Sequence, residues 1–161
     1  MTKQKLNTLF VTVFGVGFSP KAPGTFGTLA TIPLWFLVSK FHIIFYMLFT
    51  FALVIAGIFA SQYYETYTHK HDSKEIVIDE VAGFLITMMW LPITWQSVVI
   101  GFVLFRFFDI VKPGPIKMLD QKIKGGVGVM IDDVAAGIIC NLILQIVYNQ
   151  TSWLGAQIQT F

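Results

Sequence analysis

The chain reads as an all-α protein, a small membrane-embedded bundle of about four to five hydrophobic helices plus an N-terminal surface helix. Three observations predict this. Of 161 residues, 55% are hydrophobic and only 12% charged, where average soluble domains carry about 25% charged residues. The run Ile43–Ala60 is free of charge over eighteen residues, within the range of about 17–25 that crosses a bilayer as a helix. The remaining apolar runs show almost none of the polar outer face that a helix in a soluble bundle needs. The length suits a single domain spanning 1–161.

Taken in order, Leu6, Leu9, Phe10, Val13 and Gly17 recur at helical spacing behind Lys3 and Lys5, which predicts an amphipathic helix lying on the membrane surface. Asn7, Thr8 and Thr12 interrupt its apolar stretch, and Phe18–Thr25 offers no small-residue cleavage site, so this segment is expected to stay attached. Ile43–Ala60 is the clearest crossing. Four shorter runs are Gly27–Val38, Val81–Trp95, Ser97–Phe105 continuing through Arg106 to Val111, and Val134–Tyr148. At about 1.5 Å per residue they reach roughly 18–23 Å, less than a bilayer core of about 30 Å. A soluble or peripheral bundle with greasy helices is therefore the alternative architecture.

Alternating the five runs across a membrane puts Thr2–Phe26, Ser61–Glu80 and Arg106–Asp133 on one side. Lys3, Lys5, Lys21, Lys70, Lys74, Arg106, Lys112, Lys117, Lys122 and Lys124 then share that side, with Lys40 alone on the other. Short basic loops stay in the cytoplasm, so this threading predicts a cytoplasmic N-terminus and a C-terminus on the opposite side. All nine acidic residues fall on the cytoplasmic side as well. The formal charge of +2 is too balanced for a nucleic-acid binder. Cys140 is the one cysteine, which excludes a disulfide framework or a Cys/His metal cluster. Aromatic residues make up 16% of the chain, and no long polar tract suggests disorder.

Acidic residues stand where an apolar helix would not carry them without reason: Asp79-Glu80 at the start of one run, Asp109 near the end of another, and Asp132-Asp133 at the start of the last. One Asp per helix start is explained by N-capping. Adjacent pairs at two starts are not, because neighbouring carboxylates repel unless a cation sits beside them. Ile78-Asp-Glu-Val-Ala-Gly83 is echoed by Ile131-Asp-Asp-Val-Ala-Ala-Gly137, and small residues after each pair let two helices approach closely. Asp79, Glu80, Asp132 and Asp133 are thus expected to gather around a hard cation, and all-oxygen ligands favour Mg²⁺ over zinc.

Arg106, Asp109 and Lys112 are spaced by three and share a helix face until Pro113 and Pro115 end it. Arg106, the only arginine, is either a salt-bridge partner for the acids or a bidentate phosphate clamp. The glycine- and proline-rich stretch Gly15–Gly27 includes Lys21, Gly24 and Thr25, and its free backbone N–H groups lead into a helix start that suits an anion. It lacks the Gly-Lys-Ser/Thr ending of a Walker loop. A divalent metal, basic residues for phosphate and a site at a membrane edge together describe phosphoester chemistry on a lipid headgroup. Ile146 stands where a cysteinyl-phosphatase loop after Cys140 needs Arg, and no Asp-x-Asp-x-Thr occurs. His42 falls on the far side, while His69 and His71 lie in a polar loop.

Four ordered blocks resemble the phosphatidylglycerophosphatase A family: Ser19-Pro-Lys-Ala-Pro-Gly-Thr-Phe-Gly-Thr28, Ile78-Asp-Glu-Val-Ala-Gly83, Phe105-Arg-Phe-Phe-Asp-Ile-Val-Lys-Pro-Gly-Pro-Ile116 and Gly125-Gly-Val-Gly-Val-Met-Ile-Asp-Asp-Val-Ala-Ala-Gly137. The resemblance implies a Mg²⁺-dependent phosphatase of the bacterial cytoplasmic membrane that converts phosphatidylglycerophosphate to phosphatidylglycerol. In the resulting scheme Asp79, Glu80, Asp132 and Asp133 hold one or two Mg²⁺, and Asp109 is a further ligand or positions water. Lys21, Gly24, Thr25, Arg106 and Lys112 meet the phosphate. Direct attack by water and an aspartyl-phosphate intermediate are both open, as is a homo-oligomer. The rival readings are a cation-coupled transporter, which needs its acids near the bilayer midplane, and a non-catalytic helical module.

Overall fold

The computed structural model describes residues 2–70, 73–114, 116, 118 and 123–155. Its elements are α1 (Lys3–Val11), a 3-10 turn (Val16–Phe18), α2 (Pro23–Val38), α3 (Ile43–Thr68), α4 (Ile78–Thr87), α5 (Trp95–Val111) and α6 (Gly125–Gln150). No strand occurs among the described residues, as the composition predicts.

The shortest of the apolar helices lies at the centre. Seven of the ten residues of α4 are buried: Ile78, Val81, Ala82, Gly83, Phe84, Leu85 and Thr87. It packs most extensively on α6, and the contact is close because both sides lack side chains there. A Cβ on Gly83 would strike the Asp133 carbonyl, and one on Gly137 the Gly83 carbonyl. The Phe84 and Phe105 rings, 6.2 Å apart, fill the space beside this seam toward α5.

The structure corrects three expectations about the longer apolar runs. The run Val81–Trp95 is not one crossing helix: α4 ends at Thr87 after about 15 Å, half a bilayer core. Its last carbonyls are satisfied from outside, Asn141 Nδ2 donating to the Thr87 and Met89 oxygens at 3.0 and 2.7 Å and Gln145 Nε2 to Met89 at 3.0 Å. With those donors supplied by α6, the helix can stop inside the bundle and turn at Trp90, φ +60°. The second correction concerns α3, which continues past Ala60 to Thr68. Its final turns carry α1: Asn7 Nδ2 donates to the Ala60 carbonyl at 3.0 Å, and the Thr8 and Tyr67 hydroxyls lie 2.7 Å apart. Third, α6 begins at Gly125 rather than at Val134, so Asp132 and Asp133 sit in its third turn instead of at its start.

The surface helix forms, but only over Lys3–Val11. Val13 and Gly17 lie beyond it, because Val13 and Phe14 adopt left-handed backbone (φ +49° and +55°). Its polar residues Asn7 and Thr8 face the protein while Leu6 and Leu9 are exposed. Val11 is buried and Phe10 packs on the core, so α1 presents apolar side chains on two sides, and the exposed Leu6 and Leu9 suit an apolar surrounding. On α5, Trp95, Val99, Val103, Phe107 and Ile110 form an exposed apolar stripe, more than water tolerates on a monomer. Among the described residues two helices, α3 and α6, are long and apolar enough to cross a membrane.

Successive elements alternate direction. Thr94 Oγ1 and Ser97 Oγ, at the start of α5, donate to the Leu154 carbonyl beyond the end of α6 at 2.6 and 3.3 Å. At the opposite end the starts of α2, α4 and α6 meet the ends of α3 and α5 around one cavity of about 950 Å³. The Val77 amide donates to the Val11 carbonyl at 2.9 Å, so the end of α1 pins the start of α4 beside it.

Candidate active site

Asp79 and Glu80 occupy the first turn of α4, whose N-cap is Val77 with no side-chain cap. Lys124 caps α6, again without a side-chain bond. None of the paired acids is therefore a helix cap, and the capping explanation fails at both helices. What the pairs do instead is meet. One carboxylate oxygen each from Asp79, Glu80 and Asp133 lies within 4.8 Å of the others. Asp133 is buried at 2% exposure. Asp79 Oδ1 and Glu80 Oε2 are buried without a hydrogen-bond partner, an arrangement that is costly for an anion unless something positive coordinates it. Burial, and then the neighbouring Glu80 carboxylate, push Asp79 well above the usual carboxylate range; burial likewise pushes Glu80 up. Three convergent hard oxygen donors with two unsatisfied atoms fit a divalent cation such as Mg²⁺.

Asp132 does not join this group. Successive helical residues point about 100° apart, and Asp132 turns toward α5, where Lys112 Nζ lies 2.5 Å from its Oδ2. Lys112 reaches it because the chain leaves α5 there in left-handed backbone, φ +43°, with its amide donating to the Phe108 carbonyl at 2.9 Å. Arg106 Nη1 is 2.5 Å from Asp109 Oδ2, 3.8 Å from Glu80 Oε1, and donates to Thr28 Oγ1 at 3.5 Å. The expected face of Arg106, Asp109 and Lys112 thus closes one wall of the cavity.

Pro23, Gly24 and Thr25 form the first turn of α2 and line the opposite wall. A Cβ at Gly24 would collide with the Glu80 carboxylate and the Arg106 guanidinium, so glycine is what lets the helix start abut the acids. The unpaired first-turn amides of a helix favour an anion. Ala22 precedes them in left-handed backbone, φ +46°, and together with Lys112 it places strain on both flanks of the site. Lys21 is exposed and does not line the cavity. His42 is remote, its Nδ1 accepting from the Ile44 amide at 3.3 Å, and His69 is exposed. Lys117, Lys122 and His71 lie outside the described residues.

Sequence reasoning missed Glu65, Lys74 and Lys124, all of which line the cavity. For Glu65 a signal existed. Thr50, Gly57, Ser61 and Glu65 fall on the buried face of α3, a small and polar stripe at helical spacing that runs on past Ala60. Nothing local marks the two lysines.

Fold and site together define a helical bundle with an apolar exterior and, at one end, a cavity in which a cluster of carboxylates meets basic side chains. The chain belongs to the phosphatidylglycerophosphatase A family, whose model matches residues 9–148. It is 42% identical over 127 residues to the phosphatidylglycerophosphatase A of Escherichia coli (strain K12), covering 78% of this chain and 74% of that one. To the phosphatidylglycerophosphatase A of Haemophilus influenzae it is 39% identical over 133 residues, 81% and 82% of the two chains. A Bacteroides thetaiotaomicron protein, provisionally named a phosphatidylinositol-3-phosphatase, is 39% identical over 150 residues, 88% and 92%. No solved structure matches the chain significantly.

Proposed function

We propose that this chain is a Mg²⁺-dependent phosphatase that removes the terminal phosphate of phosphatidylglycerophosphate to leave phosphatidylglycerol, working at the cytoplasmic face of the bacterial cytoplasmic membrane. The observation that carries this reading is the cluster of Asp79, Glu80 and Asp133 with its two unsatisfied buried oxygens, in a chain of this family. The cytoplasmic face is supported by the gathering of basic residues at the cavity end. The apolar exterior supports the membrane.

Asp79, Glu80 and Asp133 would hold the Mg²⁺, which when bound supplies charge neutralisation of a phosphate dianion that otherwise repels a nucleophile. The amides of Gly24 and Thr25 orient phosphate oxygens at the start of α2. Asp109 and Glu80 hold the Arg106 guanidinium at the edge of the cluster, ready where charge develops on the phosphoryl oxygens. Asp132 anchors Lys112 in the same way. In the net reaction a water oxygen bonds to phosphorus and the bond from phosphorus to the glycerol oxygen breaks. A proton from water ends on that glycerol oxygen.

The test is phosphate release by the purified protein from phosphatidylglycerophosphate in neutral-detergent micelles. Release with Mg²⁺, its loss with a chelator and its return on adding excess Mg²⁺ are expected. Phosphatidylinositol 3-phosphate is assayed in parallel, and faster release from it would transfer the reading to that lipid. Release from neither lipid overturns the proposal.

A further inference from the structure

The charges around the cavity divide by depth and by partner. Six carboxylates and four cations line it among the described residues. Two of the cations are committed to carboxylates: Arg106 to Asp109 and Glu80, and Lys112 to Asp132. Lys74, in the α3–α4 connection, and Lys124, at the start of α6, line the same cavity from different elements and carry no ion pair among the described residues. Both are exposed, whereas Asp133 is buried. The cavity therefore has an acidic floor and a rim with two uncommitted positive charges.

This inference rests on the proposed function. Phosphatidylglycerophosphate carries two phosphates: a terminal monoester, and a diester three carbons back toward the acyl chains. With the monoester on the floor, the diester lies nearer the rim. With Mg²⁺ bound, the carboxylates and the positive charges of the cavity balance, so the monoester dianion leaves the site negative and the diester anion is repelled unless a positive group answers it.

We propose that Lys74 and Lys124 bind the diester phosphate of the two-phosphate headgroup, and that they thereby set the preference for it over lipids bearing a single phosphate monoester. The lysines act on binding rather than on the bond that breaks. Their loss is therefore expected in KM rather than kcat.

The experiment measures kcat and KM of the full chain for phosphatidylglycerophosphate in neutral-detergent micelles, which remove any attraction to an anionic lipid surface. Phosphatidic acid serves as the one-phosphate probe, either as substrate or as competitive inhibitor. Lys74→Gln together with Lys124→Gln is expected to raise KM for phosphatidylglycerophosphate by about tenfold, the worth of one charge-assisted hydrogen bond, with kcat held within about twofold. The constant for phosphatidic acid should move by less than about twofold, because that lipid has no diester to lose. Lys74→Arg with Lys124→Arg keeps the charge and should restore KM, and unchanged melting temperatures establish that the variants fold. An unchanged KM in the Gln pair overturns the proposal, and so does an equal rise for both lipids. If the wild type releases no phosphate from phosphatidylglycerophosphate, the functional reading itself has failed and this inference falls with it.

Discussion

At the scale of single residues, the cluster of Asp79, Glu80 and Asp133 opposes activity to stability. Three carboxylates within 4.8 Å repel one another when no cation is bound, and two of their oxygens lack any partner. Asp79→Asn and Asp133→Asn should each abolish Mg²⁺-dependent phosphate release, since an amide of the same size removes the anion a hard cation needs. Without Mg²⁺ each variant should be more stable than the wild type, by about 1–2 kcal/mol. With Mg²⁺ at 100 times its Kd the wild type should gain about 2.7 kcal/mol and the variants less. Thermal melting in detergent with and without Mg²⁺ tests both, and full activity in the Asn variants would return these acids to a structural role. Glu75, outside this cluster, offers a separate pH test. The Tyr64 hydroxyl donates to its carboxylate and Lys70 pairs with it at 3.0 Å; the Tyr64 bond, then Lys70, hold its pKa below the usual carboxylate range. A carboxyl depressed in the folded state stabilises above its unfolded pKa of about 4.3, and that stability is lost as pH falls through the lower folded value. Tyr64→Phe should therefore cost about 1 kcal/mol at neutral pH and progressively less below about pH 4.

Among the helices, the seam between α4 and α6 is where the fold is least forgiving. Gly137→Ala puts a methyl against the Gly83 carbonyl, and backbone cannot swing aside as a side chain can. Separating the helices should cost about 1–3 kcal/mol, and activity should fall with it because Asp133 moves away from Asp79. Gly24→Ala is expected to behave differently. The atoms nearest its added methyl are the ends of Glu80 and Arg106, which can move, so phosphate release should drop while the melting temperature changes little. Comparing melting with activity for the two variants distinguishes packing from site geometry. The end of α4 supplies a further case. Asn141→Ala leaves the Thr87 carbonyl without the donor that closes it, and a buried carbonyl left open costs about 1–3 kcal/mol. The Val81–Trp95 run gave no sign of this break, because the donors that permit it come from Asn141 and Gln145, more than fifty positions away.

For the whole molecule, α2, α4 and α6 start and α3 and α5 end at the cavity, which Lys74, Arg106, Lys112 and Lys124 line. In intact cells, single reporter cysteines at Gln4 and Lys74 in a Cys140-free background should resist a membrane-impermeant reagent, while one at Lys40 reacts. Labelling of Lys74 as readily as Lys40 would invert or break this arrangement. The amino-acid sequence by itself determined the helical class, the positions of most apolar segments, the one-sided charge and the local motifs that carry the acids. These depend on composition and on neighbours a few residues away, which hydrophobic burial and helical periodicity read directly. The echoed motifs pointed to a meeting of the two acid pairs, but which member of the second pair joins it was decided by tertiary structure alone. Asp132 and Asp133 are indistinguishable as neighbours in a string, yet a rotation of about 100° gives one to Lys112 and the other to Asp79 and Glu80. The same holds for Glu65, Lys74 and Lys124, which share a cavity only because three helix starts and two helix ends converge there. Small residues after each acid pair marked the close approach of α4 and α6, but the convergence of the other segments is set by packing in three dimensions and has no local pattern.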